Sequence, residues 1–388
     1  MTVTQEFIEI LILLIILGTV YGIFSIFCVL EFFGSRNTRP KELSGMPIPI
    51  SILKPVKGAD SECRENLRSF CRQNYPEHEV LIGFTEPADD ALSVAREIVS
   101  SSDCSARTVI SQKRFGGNPK VSNLYGLVEA AAYPLVAISD SDMRVDDTYL
   151  NTIVAEYQSE KNVGVVTSLY KVSDPKSIGA ALESLTIALD FIPSVLVARR
   201  LEGITFGLGA SMLLSKKALE DIGGLSAIAD YLADDYQISH RLWERGFKNV
   251  LSHYLIENVV GDMSVADYLV HQARWARACR TCRPIGFFGY GITHIFALSF
   301  LLLILQGVTT LTLSVISAVL ILRVSLAVVL HRKVIGSRNW LKCLLLLPIK
   351  DLMSFGTWLW SFLGRKVFWR GKYYTITEDG RIKSASPQ

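Results

Sequence analysis

Long apolar runs lie at both ends of the chain and enclose a more polar middle. Residues 7–30 hold a single acidic residue among about 20 apolar positions, which is enough for a helix that crosses a bilayer. The run is too long for the core of a signal peptide, and no basic segment precedes it, so it predicts an uncleaved N-terminal span. Residues 287–307 and 309–330 are equally apolar and predict two further spans joined by a tight turn.

The last apolar stretch, residues 341–364, is different in character. Pro348, Lys350 and Asp351 interrupt it, and charges at the centre of a full span would cost several kcal/mol. The basic segments before and after it both belong on the cytoplasmic side. A full crossing would separate these two segments, so the pattern predicts a re-entrant or interfacial hairpin.

The middle of the chain alternates short apolar runs with amphipathic ones. Strand-like runs occur at residues 48–56, 78–84, 133–140 and 162–170, and a helical pattern lies at 90–101. Strands that alternate with helices predict an α/β domain with a parallel sheet. Ligands of such sheets bind beyond the carboxyl ends of the strands, so polar residues that directly follow a strand are candidate functional residues.

Charge predicts the orientation of the chain in a membrane. Arg36, Arg39 and Lys41 follow the first span, and no Lys or Arg precedes it. The positive-inside rule then places the N-terminus outside and the following domain in the cytoplasm. The predicted organisation is an N-terminal transmembrane helix at 1–33, the α/β domain at 48–284, two membrane helices plus the hairpin at 287–364, and a basic cytoplasmic tail at 365–388.

Composition narrows the class of protein. The chain has 388 residues, of which 49% are hydrophobic, and a net charge of only +3, so no nucleic-acid-binding surface is expected. Its seven cysteines are scattered along the sequence, which favours a reducing compartment over a disulfide framework. Together these features indicate a membrane protein with a cytoplasmic domain.

The stretch Asp140-Ser141-Asp142 directly follows a predicted buried strand. Carboxylates two residues apart project from the same side of an extended chain, where they repel each other unless a cation lies between them. Mg²⁺ or Mn²⁺ usually takes one or two protein carboxylates and completes its shell with water and phosphate oxygens. Asp140 and Asp142 are therefore candidate metal ligands at a diphosphate site.

Two other motifs open predicted helices. Asp234 and Asp235 begin a helix that ends before Gly246; they are either helix-start carboxylates or, for one of them, a general base facing the ligand. Lys120 and Asn123 follow the loop residues Gly-Gly-Asn-Pro. A lysine at a helix start is unfavourable for the helix dipole, so a phosphate or nucleotide contact is expected there.

The stretch His271–Pro284 carries an arginine at every third position. These arginines are Arg274, Arg277, Arg280 and Arg283, and Trp275 lies beside the first. One interpretation is a basic amphipathic helix on the membrane surface. The other is that Arg274 and Trp275 close over a bound pyrophosphate, since a guanidinium suits phosphate oxygens.

These motifs, in this order, resemble those of the ceramide glucosyltransferase family of membrane glycosyltransferases, including bacterial relatives that glycosylate hopanoid lipids. The matching elements are K-P-x-x-G at 54–58, N-P-K-x-x-N-L at 118–124, D-S-x-x-R-V at 140–145, the acidic pair before Tyr at 234–236, the R-W signature at 274–275 and W-R-G-K-Y at 369–373. The likeness covers nearly the whole chain, and the order of the motifs is more specific than any one of them.

The resemblance implies a nucleotide-sugar-binding, Rossmann-like α/β domain of the GT-A type together with transmembrane helices. It implies that Asp140 and Asp142 hold Mg²⁺ or Mn²⁺ against a UDP-sugar, and that Asp235 deprotonates the acceptor hydroxyl. The residues expected to bind the nucleotide sugar are Lys54, Pro55, Glu86, Asp89, Lys120, Asn123, Asp140, Arg274 and Trp275.

The sequence departs from the family pattern at two places. The family's first aspartate, which binds the nucleotide, should lie in the stretch 83–91. Here Glu86 occupies the nearest position and Asp89 and Asp90 follow, so these three residues are the candidates. The signature Q/R-x-x-R-W begins here with His271. The sugar site is therefore expected to differ in detail from the family's.

The expected reaction is an inverting transfer of glucose or N-acetylglucosamine to a lipid hydroxyl at the surface of a bacterial inner membrane. The acceptor is left open between ceramide and a hopanoid polyol, and the oligomeric state is not predicted. One alternative is a processive polysaccharide synthase, which shares the aspartates but usually needs more spans. Another is a non-catalytic scaffold or a transporter, which would carry paired broken spans.

Overall fold

The computed structural model of the protein describes residues 3–34 and 45–384. The strands are β1 (Ile50–Pro55), β2 (His78–Phe84), β3 (Ser105–Ile110), β4 (Leu135–Ile138), β5 (Met143–Arg144), β6 (Val163–Lys171), β7 (Met212–Ser215), β8 (Lys248–Asn258), β9 (Lys366–Trp369), β10 (Lys372–Ile376) and β11 (Ile382–Ser384). The α-helices are α1 (Val3–Gly34), α2 (Cys63–Cys71), α3 (Ala91–Ser101), α4 (Pro119–Ala130), α5 (Tyr149–Gln158), α6 (Ile178–Thr186), α7 (Ile192–Glu202), α8 (Lys216–Asp221), α9 (Asp234–Glu244), α10 (Val265–Cys282), α11 (Pro284–Gly289), α12 (Ile295–Gln306), α13 (Thr310–Leu330), α14 (Trp340–Cys343) and α15 (Leu347–Ser361).

The chain divides into two compact units. Among the described residues, the α/β unit comprises 45–171, 202–261 and 368–384, and the helical unit comprises 3–34, 172–201 and 262–367. The pattern of the sequence assigned residues 172–201 to the α/β domain, whereas the structure groups them with the apolar helices. Arg36, Arg39 and Lys41, on which the predicted orientation depends, lie outside the described residues.

An eight-stranded mixed sheet forms the α/β unit, in the order β3-β2-β1-β4-β7-β6-β8-β5. Strands β1 to β4 are parallel, as the alternating pattern predicted. The central strands are buried on both faces, which explains their continuous apolar runs. Leu53, Val136 and Met212 pack with the inner faces of α4 and α9 in one core.

The direction of each strand decides what meets at one edge of this sheet. β7 runs antiparallel to β4, so its first residue, Met212, pairs with the last residue of β4, Ile138. β6 is antiparallel to β7 and parallel to β8, so β8 also ends at this edge. Residues that follow β1, β2 and β4, precede β7 or end β8 are therefore neighbours.

Apolar helices form the other unit. In the described ranges, four helical runs are long and apolar enough to cross a membrane: Gln5–Gly34, Ile178–Glu202, Thr310–Ile335 and Trp340–Ser361. Pro284–Thr293 and Ile295–Gln306 form a fifth candidate that is bent by 57°, as in a broken span or a re-entrant loop. The last run, where a hairpin was expected, is a single helical segment without a reversal.

Buried ion pairs explain why this segment tolerates its charges. Lys350 Nζ lies 2.5 Å from an Asp190 oxygen and 2.8 Å from Asp351 Oδ1. Arg323 forms two hydrogen bonds to Asp351, of 3.0 and 2.5 Å, and one of 2.9 Å to Asp190. We call these four residues the helical-unit cluster. Removing charges from water is costly unless each is paired, and here every charge has an opposite partner.

Candidate active site

Asp140 and Asp142 lie directly beyond the carboxyl end of β4, as predicted from the sequence. Asp140 Oδ1 forms an ion pair with Lys120 Nζ at 2.7 Å. Asp142 Oδ2 accepts a 3.0 Å hydrogen bond from the side-chain amide of Asn258 at the end of β8. Burial raises the pKa of Asp142, and repulsion by Asp140 adds to the effect. The two carboxylates therefore form a site that a cation would stabilise.

Local helix-start geometry places Lys120. The Asn118 side chain accepts hydrogen bonds from the backbone amides of Lys120 and Val121, and Pro119 occupies the first turn of α4. Burial alone would lower the pKa of Lys120, but the neighbouring carboxylates, chiefly Asp140 and Asp234, raise it well above its ordinary value. Lys120 is thus a fixed cation among the carboxylates.

The acidic pair opens α9 and faces the same site. Asp234 is buried, and its Oδ2 has no hydrogen-bonding partner among the described residues except the ammonium of Lys120 at 3.3 Å. Asp235 accepts 2.8 Å hydrogen bonds from the backbone amides of Gly209 and Tyr236. Burial, followed by repulsion from Asp234, raises the pKa of Asp235 to about 6. Such a carboxyl is suited to proton transfer near neutral pH.

Gly209 lies between the two pairs of aspartates. A Cβ at this position would be 3.1 Å from Asp140 Oδ2, 3.2 Å from Asp235 Oδ2 and 3.4 Å from Lys120 Nζ. These three side chains, from the end of β4 and the starts of α9 and α4, therefore converge on one small space that a larger residue would crowd. The convergence brings the metal-binding candidates and the base candidate into one site.

Lys54 lies beneath this site rather than in it. Its ammonium is fully buried at the end of β1, donates a 3.2 Å hydrogen bond to Ser139 and another to the Asp140 carbonyl, and contacts the Phe70 ring. Burial lowers the pKa of Lys54 to about 7, although Asp142 and Asp140 oppose the shift. Its role in the structure is to hold the loop that carries the aspartates.

The structure distinguishes the three acidic candidates after β2. Asp89 is buried and accepts two hydrogen bonds from the Gly58 amide, at 3.0 and 3.1 Å, and one from Ala91 at 3.1 Å. Glu86 is exposed and pairs with Lys57 at 2.5 Å, and Asp90 is exposed at the start of α3. Asp89 thus fixes the loop after β1, while Glu86 remains accessible to a ligand.

Asn123 and Pro55, both predicted to contact the nucleotide, are instead buried within the protein. The Asn123 amide donates to the Gly83 carbonyl at 2.8 Å and to the Val56 carbonyl at 3.4 Å, and its side chain is buried. Pro55 is buried at the end of β1. Both residues shape the ends of β1 and β2 rather than presenting a polar group to the site.

Arg274 and Trp275 lie on α10 in the helical unit. Trp275 packs against Phe191 and His271, with ring centroids 5.6 and 5.1 Å apart. His271 Nδ1 lies 3.2 Å from a buried carboxylate oxygen of Glu183 on α6.

The stripe of arginines on α10 has a structural function further along. Arg277 donates to the Lys366 carbonyl, and Arg280 donates to the Gly364 carbonyl at 3.0 Å. Cations near carbonyls that follow a helix C-terminus stabilise that end. At these positions the stripe holds the segment after α15, which sequence periodicity alone could not reveal.

Sequence reasoning missed Asn258 and Gly209 as members of the site. Asn258 lies 116 residues from the aspartate that it binds, and its only sequence signal is a polar residue at the end of a strand. Gly209, in the run Phe-Gly-Leu-Gly-Ala, could have been suspected because glycine permits close approach of side chains and backbone.

The donor set suits a divalent cation that shares its shell with a ligand. Among the described residues, no group of three or more His, Cys, Asp or Glu side chains is arranged to hold a metal. Two carboxylates on a short loop, one with its pKa raised by burial and then by the other, instead match the incomplete protein shell typical of Mg²⁺ bound to phosphate. Asp140 and Asp142 therefore fit the expected metal.

Comparisons with known proteins agree with this geometry. A family model described as Glycosyl transferase family 21 matches residues 10–382. Ceramide glucosyltransferase 3 of Caenorhabditis elegans is 27% identical over 238 residues, which are 61% of this chain and 51% of that protein. Ceramide glucosyltransferase 1 of the same organism is 29% identical over 230 residues, 59% of this chain and 49% of that protein. The matches span about half the length of these relatives.

A solved structure shows the same fold. The mannosyltransferase PcManGT from Pyrobaculum calidifontis, in complex with GDP-Man and Mn²⁺, superposes with a TM-score of 0.52 and 16% identity, and covers 91% of this chain and 99% of its own. The likeness confirms the GT-A fold that the resemblance implied.

Proposed function

The chain belongs to glycosyl transferase family 21, and on this premise we propose that it is a membrane enzyme that transfers a hexose from a UDP-sugar to the hydroxyl of a membrane lipid. The observation that carries the proposal is the convergence of Asp140, Asp235 and Lys120 at one edge of the sheet. Family members that match the sequence are ceramide glucosyltransferases, and the solved mannosyltransferase holds a nucleotide sugar and Mn²⁺.

The donor would bind at the carboxyl end of β4. Asp140 and Asp142 would hold Mg²⁺ or Mn²⁺, and the metal when bound supplies Lewis-acid stabilisation of the charge on the leaving diphosphate. Lys120 supplies a fixed positive charge beside Asp140. Lys54 fixes the backbone carbonyl of Asp140 and Asn258 fixes the Asp142 carboxylate, so little reorganisation is needed when the diphosphate arrives.

Asp235 would act as the general base. Its two hydrogen bonds to backbone amides fix the carboxylate, and its pKa of about 6 leaves it ionised at neutral pH yet basic enough to accept a proton. As the acceptor oxygen forms a bond to the anomeric carbon, the bond from that carbon to UDP breaks and the hydroxyl proton moves to Asp235. One displacement inverts the anomeric configuration and needs no covalent intermediate.

A lipid acceptor fits the composition of the helical unit. Its apolar runs are long enough to cross a bilayer, and the hydroxyl of ceramide or of a hopanoid polyol lies at the interface between membrane and water. We place the α/β unit on the cytoplasmic side of a bacterial inner membrane, where the donor nucleotide sugar is available and thiols remain reduced.

The decisive experiment uses the purified full chain in detergent with Mn²⁺, a UDP-sugar and a lipid acceptor. UDP-glucose and UDP-N-acetylglucosamine are each tested with ceramide and with a hopanoid polyol, and both UDP release and the glycolipid are measured. A glycolipid formed in proportion to UDP supports the proposal. A polymeric product would indicate a polysaccharide synthase, and no UDP release with any pair would indicate a non-catalytic protein.

A further inference from the structure

A tight hairpin near the C-terminus carries an arginine in an unusual backbone conformation. Strands β9 and β10 are joined by two residues, Arg370 and Gly371, with φ angles of 50° and 77°. Positive φ at both central positions is typical of the type I′ turn, which Asn-Gly normally fills. Positive φ is sterically unfavourable for an arginine, and residues held in such conformations cluster at functional sites.

The C-terminal sheet of β9, β10 and β11 is anchored on the segments that build the active site. The Ile382 amide donates to the Asp230 carbonyl at 2.7 Å, and the Leu232 amide donates to the Gly380 carbonyl at 3.2 Å. The Asp230 carboxylate in turn accepts from the Gly117 amide at 2.7 Å. Residues 230–232 lead directly into α9, which carries Asp235, and Gly117 leads directly into α4, which carries Lys120.

Acidic side chains of the site act on the Arg370 guanidinium. Burial lowers the pKa of Arg370, and the carboxylates of Asp140, Asp234 and Asp89 oppose that shift. The guanidinium lies against the ring of its neighbour Trp369, at 5.3 Å. Among the described residues it has no hydrogen-bonding partner, unlike Lys120, which is held at 2.7 Å by Asp140.

We propose that Arg370 binds the sugar donor and that its guanidinium contacts the terminal phosphate of the nucleoside diphosphate. The C-terminal hairpin of β9 and β10 would position this side chain at the site. The inference rests on the proposed function and adds a residue outside the motifs to which catalysis was assigned above. Its basis is the sheet anchored on the segments before α4 and α9, the strained backbone of Arg370, and the attraction of Asp140, Asp234 and Asp89 for a guanidinium that makes no hydrogen bond among the described residues.

The charges of the site explain why a third cation is useful. Within the part of the chain that the structure describes, Asp140, Asp142, Asp234 and Asp235 face two ammonium groups, those of Lys120 and the buried Lys54. A diphosphate that enters this acidic surrounding is repelled unless cations offset its charge. A guanidinium also offers a planar pair of donors that matches phosphate oxygens better than an ammonium does.

The test compares nucleotides that differ by one phosphate. Binding of UDP and of UMP to the full chain in detergent, with Mn²⁺ present, is measured by calorimetry for the wild type and for Arg370→Asn. Asparagine suits the turn's backbone, so the hairpin is retained and only the guanidinium is lost. We expect UDP affinity to fall about 10- to 100-fold, as for one charged hydrogen-bonded contact, with UMP affinity changed less than about twofold.

Two further variants guard against a structural explanation. Lys383→Gln removes an exposed cation from the same C-terminal sheet and should leave binding of both nucleotides unchanged. Arg370→Lys keeps the positive charge but lacks the planar pair of hydrogen-bond donors, so it should bind UDP with intermediate affinity. Thermal unfolding of each variant is recorded in parallel to confirm folding.

The outcomes separate this inference from the proposed function. If wild-type protein binds UDP and Arg370→Asn binds it equally well, or loses UDP and UMP affinity together, the assignment of Arg370 is wrong and the proposed function stands. If folded wild-type protein binds neither nucleotide, the proposed function fails and the inference fails with it.

Discussion

Two buried groups of charges in this molecule are built in opposite ways. The helical-unit cluster balances Asp190 and Asp351 against Arg323 and Lys350, with every charge paired. The site in the α/β unit places four aspartates around two lysines, and one buried oxygen, Asp234 Oδ2, has no hydrogen bond within the described structure.

The difference separates a structural role from a chemical one. A buried cluster with balanced charges gains nothing from a ligand, and it resists the loss of any member. A cluster with excess negative charge carries raised carboxyl pKa values, as at Asp142 and Asp235, and it is stabilised by an added cation. Titratable groups held in such an unfavourable state are characteristic of functional sites.

The largest expected effect is on turnover. Asp235→Asn removes the proposed base but keeps the shape and a hydrogen-bond acceptor, so kcat should fall about 1,000-fold. Thermal stability should stay level or rise, because burial and repulsion from Asp234 no longer act on a carboxylate. UDP release measured with lipid acceptor, with exposed Asp90→Asn as the matched control, checks this; normal turnover would remove Asp235 from the mechanism.

The opposite pattern is expected in the helical-unit cluster. Lys350→Met leaves Asp190 and Asp351 with one guanidinium between them, which should cost about 3–5 kcal/mol of stability. Thermal unfolding in detergent measures the loss, and UDP binding by the folded fraction should be unchanged. The double variant Lys350→Met/Asp351→Leu restores a balanced pair and should lose less; an equal or larger loss would contradict the balance argument.

Removal of metal tests whether the excess carboxylates serve a cation. EDTA should lower the rate of sugar transfer at least about 100-fold, since a bound metal supplies several kcal/mol of charge stabilisation. Mn²⁺ or Mg²⁺ should restore the rate, and Asp142→Asn should raise the metal concentration needed. Full activity in EDTA would show that Asp140 and Asp142 have another role.

The space between the aspartates is tested at Gly209. In Gly209→Ala the new methyl would lie 3.1 Å from Asp140 and 3.2 Å from Asp235, so both carboxylates must shift by a few tenths of an ångström. We expect about a tenfold loss of kcat/KM from this misplacement. Gly356→Ala, where nothing lies within 4 Å of the added Cβ, is the matched control and should be neutral.

At neutral pH and above, the rate should depend little on pH. Asp235 accepts a proton only when ionised, so the rate should rise with pH up to its pKa of about 6 and be level above it. Below that pKa the rate should fall about tenfold per pH unit. A profile that is flat down to pH 4.5 would show that no group with this pKa acts in the rate-limiting step.

Much of the α/β unit could be predicted from periodicity. The apolar run before Asp140 is a strand buried on both faces, and the acidic pair opens a helix with a regular amphipathic pattern. Because ligands of parallel sheets bind beyond the carboxyl ends of the strands, the pattern was enough to single out Asp140 and Asp142, which directly follow such a strand. The order of the strands, which brings Lys54 and Asp140 together, was visible only in the structure.

The rest depends on contacts between distant parts of the sequence. The run Ile178–Glu202 was not recognised as a candidate span because Glu183 and Asp190 interrupt its apolar pattern, and only the pairing of Asp190 with Arg323 and Lys350 explains that charge. The hairpin expected at residues 341–364 rested on the cost of unpaired charges and on the basic segments at both of its ends, and the charges prove to be paired. The W-R-G-K-Y element at 369–373 contains Arg370, but the positive φ of Arg370 and its place in a tight turn are visible only in the structure.

The most direct test of the central claim is mass spectrometry of lipids from a host that lacks the activity and expresses either this protein or its Asp235→Asn variant. We predict a new hexosyl or N-acetylhexosaminyl lipid with the wild-type protein and none with the variant, at equal levels of protein in the membrane. The same glycolipid in both hosts would contradict the role of Asp235, and no new glycolipid in either would contradict sugar transfer to a lipid.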